Sequence, residues 1–404
     1  MSPAALASLP EVHLKPRKAL PFFSHHPWVY DTAIAEVTGE AADGGAVLLR
    51  SAEGRFIAHG LYNPHSKVRV RLYSWREEQP LDEALWERRI VEAIDLRRRL
   101  FGEFDPETAC RLIYSEADQL SGLVVDRYGS WLVVQFTSLA MAERRPTIIA
   151  ALVKHLSPRG VYLRTEKGIG NLEKLHIEDG LVWGEEPPRP LFITENDIRY
   201  GVDLAEGQKT GFFLDQRDNR RRLAACVRGG RVLDLFCYSG GFSMNALVHG
   251  QAAEVIAIDG SDGAVRLAQA NAGLNGVSQR FHVTKEDAFK ALERLAGEQQ
   301  RFDTVIVDPP KMARRRDALD AALRGYFSLN RLAVDVLNPG GILMTCSCSG
   351  IVTHQHFVEI LARVGLDAGR HVQILEARGP SADHPASIHC LESDYLKCYL
   401  CRVV

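Results

Sequence analysis

The sequence predicts a multidomain chain of β and α/β classes: a small β-barrel first, an α+β unit in the middle and a doubly wound α/β domain last. Three observations carry this. Residues 12–75 alternate apolar and polar side chains in short runs broken by Gly and Asn-Pro turns. An amphipathic helix-length segment follows, and from Arg231 onward strand and helix patterns alternate regularly. A length of 404 residues supports the division, since single hydrophobic cores stop growing near ~250–300 residues.

In the first part, strands are expected at 29–34, 46–50, 56–62 and 67–73. Pro80 marks the boundary before a helix at 82–101, whose Leu85, Trp86, Ile90, Ala93, Ile94 and Leu100 recur near helical spacing. Strands at 111–114, 122–127 and 131–136, a helix at 145–156 and strands at 160–164 and 181–183 make the α+β unit. Prolines hold Glu185-Glu186-Pro187-Pro188-Arg189-Pro190 extended and its charges keep it wet, so it reads as a linker. A hairpin is expected at 192–203. Beyond it, strands at 232–236, 255–259, 281–284, 303–307 and 341–345 alternate with helices at 243–249, 263–275, 288–298, 319–337 and 355–364. Such alternation argues for a mostly parallel sheet with ligand at the carboxyl ends of its strands. The expected domains are 1–78, 79–186 and 187–404. There is no internal repeat.

A hydrophobic share of 46% and a charged share of 25% are those of a globular chain, and no segment approaches the ~20 unbroken apolar residues of a spanning helix. Residues 1–18 place their basic groups after the short apolar stretch, the reverse of a secretory signal, so a cytoplasmic location and no membrane partner are expected. Eight scattered cysteines show no framework spacing and suggest reduced thiols. Cys398 and Cys401 form a lone Cys-x-x-Cys without the four ligands of a closed zinc site, and read as strand residues; no metal is expected.

A net charge of −2 argues against binding nucleic acid through bulk charge, which leaves local patches. Arg88, Arg89, Arg97, Arg98 and Arg99 read as a solvated helix face balanced by acids, and Arg217, Arg220, Arg221 and Arg222 form a second group. Arg314, Arg315 and Arg316 follow Asp308-Pro309-Pro310-Lys311, where a phosphate backbone would lie.

The run Val232-Leu233-Asp234-Leu235-Phe236-Cys237-Tyr238-Ser239-Gly240-Gly241-Phe242-Ser243 is a buried strand turning through a glycine pair into a helix. Glycines permit close backbone approach, and a helix amino end favours negative charge. The loop lacks the Gly-x-Gly-x-x-Gly of a nucleotide dehydrogenase. The next strand ends at Asp259, an acid placed to accept both ribose hydroxyls, and Asp287 follows the strand after it. A single carboxylate at a strand end is commonly a helix cap. Three at successive strands beside a glycine loop outline a ribose and adenine pocket, and the ligand inferred is S-adenosylmethionine. Asp234 then faces the methionine amino group, Asp259 the ribose and Asp287 the adenine amine.

What is methylated is read from the thiols. Cytosine C5 is a poor nucleophile, so a thiolate must first add to C6 and place electron density at C5. In Thr345-Cys346-Ser347-Cys348-Ser349-Gly350, Cys348 lies just past a strand and is the better candidate nucleophile, while Cys346, nearer the buried strand, equally suits a small core residue. An inert strand-end thiol is the plain alternative for Cys348, and its place opposite Asp308-Pro309-Pro310 favours catalysis. The prolines have no N–H and present carbonyls, together with the Asp308 carboxylate, to a base edge. Cytosine offers an N4 amine there, and Lys311 would meet its O2 or a phosphate. The base must leave its stack to reach such a pocket.

These residues resemble the RlmI (YccW) type family of large-subunit (23S) rRNA cytosine-5 methyltransferases. The matching stretches are Lys209-Thr210-Gly211-Phe212-Phe213-Leu214-Asp215-Gln216-Arg217-Asp218-Asn219-Arg220, the Tyr238 to Phe242 loop, Asp308 to Lys311, Ser347 to Gly350, and Ala382-Asp383-His384-Pro385. His25-His26-Pro27-Trp28-Val29-Tyr30 resembles the opening of that family's PUA domain, an RNA-binding barrel. The resemblance implies a PUA β-barrel, a central α+β domain and a Rossmann-like class I methyltransferase domain, with large-subunit rRNA as partner and a homodimer left open. It puts the nucleophile at Cys348, lines the cofactor and substrate cleft with Gln216 and Arg217, and draws Tyr238, Gly240, Gly241, Phe242 and Asp308 into cofactor binding. Other RNA cytosine-5 methyltransferases carry a second cysteine after Asp-x-Pro to help release product. Here Lys311 stands there, which leaves the release step and the general base unassigned.

Two other readings stay open at this point. Asp-Pro-Pro motifs also serve methyltransferases acting on guanine ring nitrogen or exocyclic amines, which need no thiol. A nonenzymatic RNA-binding or assembly protein would retain the fold without cofactor. Small-molecule methylation would leave two domains superfluous.

Overall fold

Val12 and Leu14, Val47 and Leu49, and Val70 and Leu72 alternate inward along their strands, none more than 2% exposed, as period-two burial requires. They belong to β1 (Glu11–Leu14), β2 (Trp28–Tyr30), β3 (Ile34–Thr38), β4 (Ala46–Arg50), β5 (Phe56–Tyr62) and β6 (Val68–Ser74). These form one sheet in the order β2-β6-β5-β4-β1-β3, antiparallel except for β1 beside β4. The strand expected at 29–34 is broken by a short 3-10 turn at Asp31–Ala33. The computed structural model describes residues 9–165, 168–207, 210–313 and 315–404; Lys209 of the matching motif, Arg314 of the third arginine patch and the start of the amino-terminal segment lie outside these.

Two compact units are present. The first comprises Met1–Leu191, Asp203–Gly211 and Ala382–Ser393. After the first sheet, Asp82 caps the helix Glu83–Phe101 by accepting the Leu85 N–H. Then β7 (Ala109–Tyr114), β8 (Leu123–Tyr128), β9 (Trp131–Phe136), β10 (Gly160–Leu163) and β11 (Gly180–Gly184) form a sheet in the order β11-β10-β9-β8-β7, with the helix Arg145–Leu156 between β9 and β10. Trp86, Ile90 and Ile94 of the long helix share a core with Leu112, Val125, Val134, Ile148 and Leu152.

Arg89 and Arg97 correct the reading of that helix's arginines as a solvated face. Both are buried: Arg97 forms a two-pronged pair with Asp118 (2.6 and 2.9 Å), and Arg89 donates to the Gln119 carbonyl (2.7 Å). The late segment Ala382–Ser393 returns to this unit, where buried Asp383 accepts from Arg97 through its carbonyl (2.8 Å) and from the Arg111 N–H through its carboxylate (3.0 Å).

The second unit comprises Phe192–Val202, Phe212–Ser381 and Asp394–Val404. Its hairpin is β12 (Leu191–Glu195) and β13 (Ile198–Val202), close to the expected one. Seven further strands follow: β14 (Arg231–Leu235), β15 (Glu254–Asp259), β16 (Phe281–Lys285), β17 (Phe302–Val307), β18 (Leu337–Ser347), β19 (Val372–Arg378) and β20 (Lys397–Val403). They form one sheet in the order β16-β15-β14-β17-β18-β20-β19, parallel except for β20, which runs antiparallel to both neighbours.

Leu233, Leu235, Val305, Val307 and Leu343 turn one way into a core with Leu292, Tyr326, Leu329, Phe357 and Ile360 from helices Ala288–Gly297, Leu319–Asp335 and His354–Ala368. Alternation therefore sends Asp234 to the other face, toward helix Gly241–Val248. Among the described residues no helix is long and apolar enough to cross a membrane.

Candidate active site

Strand order reverses between β14 and β17, neighbours in the sheet whose crossovers lead to opposite sides, and a doubly wound sheet opens a crevice at the carboxyl ends there. Asp234 lies near the end of β14, Asp259 ends β15, Asp308 directly follows β17 and Cys348 directly follows β18. The register pairs Leu235 with Val307, Val307 with Thr345, and Ser347 with Lys397, so these residues share one rim.

Asp234 is 1% exposed, and both of its hydrogen bonds use Oδ2, which accepts from the Ser243 N–H (3.1 Å) and Oγ (2.6 Å). Among the described residues Oδ1 takes none. Burial pushes this carboxyl up to about 7, Asp308 pushes the same way, and the Ser243 bonds pull back. A buried acid with an open acceptor suits a cationic partner such as the ammonium of S-adenosylmethionine. Asp259 is half-buried and accepts the Tyr238 N–H on Oδ2 (3.0 Å) and the Ser261 N–H on Oδ1 (2.9 Å). Each oxygen keeps a lone pair for a ribose hydroxyl.

Asp287 is exposed and caps the helix Ala288–Gly297, with Oδ1 accepting from the N–H groups of Phe289 (3.1 Å) and Lys290 (3.2 Å). The capping role is thus occupied, and only its other oxygen remains for a ligand.

The loop between β14 and its helix is shaped by backbone conformation. Phe236, Tyr238 and Gly240 all take left-handed φ, and the Tyr238 ring packs edge-on against Phe213 at 5.2 Å. Gly241 also makes room within the protein. A Cβ there would stand 2.5 Å from Arg220 Nε, so the bareness of Gly241 admits the buried Arg220 guanidinium. Arg220 is bonded to Glu195 (2.7 Å) and to the Phe213 carbonyl (2.7 Å). Phe242 is buried and lies 5.9 Å from the same guanidinium. Arg217 is paired with Glu195 at 3.7 Å.

Gln216 is brought to the rim: its Nε2 donates to Asp308 Oδ2 (3.1 Å), while its Oε1 accepts from Asn219 (2.6 Å). Arg378 donates to Asn219 Oδ1 (2.8 Å) and completes a chain that orients the amide. Pro309 is buried, and Pro310 and Lys311 are exposed. Cys348 is half-buried, with its sulfur 3.9 Å from the Pro309 carbonyl oxygen. Cys346 is fully buried opposite Cys398, and burial pushes its thiol well above the usual range. That makes it a core residue. Cys398 and Cys401 are likewise buried, free strand residues. Arg315 is exposed and paired with Asp317.

Sequence reasoning missed Lys397, Asn219 and the Glu195–Arg220 pair. Lys397 had a signal: it is one charge at the head of the apolar run Cys398-Tyr399-Leu400-Cys401. Asn219 and Arg220 lie inside the stretch quoted for the family resemblance, but nothing in it announces the Asn219–Gln216 bond or the pair of Arg220 with Glu195, 25 positions earlier.

Residues 179–389 match the family model for S-adenosylmethionine-dependent methyltransferases, and residues 12–75 that for a PUA-like domain. Ribosomal RNA large subunit methyltransferase I of Erwinia tasmaniensis is 38% identical over 380 residues, covering 94% of this chain and 96% of that protein. The protein of the same name from Tolumonas auensis is 38% identical over 395 residues, covering 97% and 99%. Among solved structures, a SAM-dependent methyltransferase from Streptococcus mutans matches with a TM-score of 0.84 at 21% identity over 97% of this chain and 99% of that one, a likeness of fold. A methyltransferase complexed with SAH matches with a TM-score of 0.85 at the same 21% identity and the same coverage of 97% and 99%.

Proposed function

The chain belongs to the ribosomal RNA large subunit methyltransferase I family of S-adenosylmethionine-dependent methyltransferases, and from that membership we propose that it forms 5-methylcytosine in large-subunit rRNA through a temporary bond between Cys348 and cytosine C6. The observation that carries this is the place of Cys348: a half-buried thiol at the mouth of β18, against the Pro309 carbonyl and beside Asp308. A structural cysteine in this sheet looks like Cys346 or Cys398, sealed in the core.

Bound S-adenosylmethionine supplies an electrophilic sulfonium methyl. Asp234 and Asp259 would hold its charged and hydroxyl groups, and Gln216 keeps the Asp308 carboxylate turned to the rim. The Asp308 carboxylate and the proline carbonyls accept from the cytosine N4 amine. The Cys348 sulfur adds to C6 and places electron density at C5, which would take the methyl group as its bond to the sulfonium sulfur breaks and leaves a neutral thioether. Transfer of the C5 proton to a base then restores the C5=C6 bond and expels the sulfur as a thiolate. In the three-part division 1–78, 79–186 and 187–404, the first part is the one that grips RNA, since its residues 12–75 match a PUA-like domain.

The test is Cys348→Ala in the full chain, assayed on large-subunit rRNA with S-adenosylmethionine and read by mass spectrometric mapping of methylated bases. The expected result is complete loss of one 5-methylcytidine with cofactor affinity unchanged in calorimetry. Retained methylation would instead favour transfer to a ring or exocyclic nitrogen, which needs no thiol, and would overturn the proposal.

A further inference from the structure

Lys397 opens β20 opposite Ser347 and is 1% exposed. Its Nζ donates to the Ser349 carbonyl (2.8 Å) and to the Tyr395 carbonyl (2.7 Å). Among the described residues no carboxylate forms an ion pair with it. A buried ammonium satisfied only by neutral carbonyls is a costly choice for a strand that an apolar side chain would fill at no such cost. Its tether makes sense of the cost, because Ser349 is the residue next to Cys348 and is itself fixed by the Tyr326 hydroxyl (3.2 Å) and the Ala313 N–H (3.3 Å). The ammonium is therefore held one residue from the sulfur.

We propose that Lys397 is a positioning residue for Cys348: its buried charge favours the thiolate over the thiol and so makes the sulfur both a better nucleophile and a better leaving group. The proposal rests on the reading of Cys348 as the attacking atom. The thiol proton goes to solvent and Lys397 keeps its own. When the sulfur becomes a thioether in the adduct its negative charge disappears, and on expulsion it returns opposite the ammonium. A thiol of lower pKa leaves faster, so the same charge assists the release step for which this chain lacks a second cysteine.

Asp394 before β20 and Lys311 after β17 face Lys397, Tyr326 on the helix Leu319–Asp335 faces Cys348, Asp308 precedes the Pro309 whose carbonyl meets the sulfur, and His354 lies 3.6 Å from Asp394. Burial lowers Lys397 to about 8, Lys311 acts in the same direction, and Asp394 and Cys348 act against it. The ammonium is accordingly charged at neutral pH and begins to be lost above it, and the thiolate and ammonium support each other.

The experiment is the pH dependence of iodoacetamide alkylation, read peptide by peptide in the intact chain. Cys226, half-buried elsewhere in the same molecule, is the internal reference. In the unmodified protein Cys348 should titrate below the ordinary thiol value of about 8.5. Lys397→Met should raise its midpoint by about one unit and slow its alkylation roughly tenfold near neutral pH, with Cys226 unmoved and cofactor binding retained. Lys397→Arg should restore most of the shift.

A Cys348 midpoint at or above that of Cys226 in the unmodified protein would overturn the proposal, and it needs no variant that folds. An unmoved midpoint in Lys397→Met would do the same. Because alkylation is independent of methyl transfer, an active Cys348→Ala variant would remove the catalytic reading while the midpoint still decides the Lys397 claim.

Discussion

Asp234→Asn separates what the buried acid does for folding from what it does for the cofactor. Burial raises its carboxyl from 3.8 to about 7, so the folded state prefers the proton and ionisation costs stability. The sign follows directly. The cost is absent below about pH 4, where the group is protonated in both states, grows as pH rises, and is constant above the folded value. That rise corresponds to an upper figure of about 4 kcal/mol. Asparagine carries no charge and its side-chain oxygen can still accept from Ser243.

The variant without cofactor should therefore be more stable than the parent near pH ~8 by up to that amount, with the difference vanishing near pH ~4. Hydrogen exchange of the peptide spanning β14, compared at matched pH, measures this locally and avoids treating two units as one transition. S-adenosylmethionine affinity should behave oppositely. If its ammonium sits on the ionised carboxylate, parent affinity falls about tenfold per unit below pH ~7, while the variant binds weakly with no such slope. A variant less stable than the parent at every pH, or a parent affinity flat across this range, would refute the reasoning.

Gly241→Ala should cost about 2–4 kcal/mol in chemical denaturation of the second unit, because the new Cβ, 2.5 Å from Arg220 Nε, displaces a buried guanidinium from Glu195. Cys346→Ala should lose about 1–2 kcal/mol from the small void it leaves, yet keep methyl transfer, the reverse of Cys348→Ala. Loss of activity there with cofactor binding intact would give Cys346 a chemical role that its burial denies.

The mostly parallel sheet was legible because its strands carry near-continuous apolar runs between helices of amphipathic period, and each of the five expected strands from 232 to 345 lies on one of β14 to β18. The strands β19 and β20 are the exception. They follow the alternating part of the chain, and β20 inserts between β18 and β19 against sequence order, which no local pattern announces. The return of Ala382–Ser393 to the first unit was not legible, since it depends on Asp383 meeting Arg97 and Arg111 more than 270 positions earlier.

Local chemistry alone placed Asp259, Asp308 and Cys348 at strand ends, because the residue that closes or follows an apolar run is where a parallel strand meets solvent, and set Asp234 within its strand. Folding then sorted residues that look alike in one dimension. Cys346 and Cys348 are two positions apart, yet one is sealed against Cys398 and the other stands at the rim, because β18 stays paired with β20 through Ser347 and the chain leaves the sheet after it. Gly241, read as room for a ligand, also makes room for the Arg220 guanidinium. Lys397, one charge at the head of an apolar run, is buried and donates to the carbonyl of Ser349, the residue after Cys348. In each case the partner is distant in sequence, so its effect on packing and charge exists only once the sheet has closed.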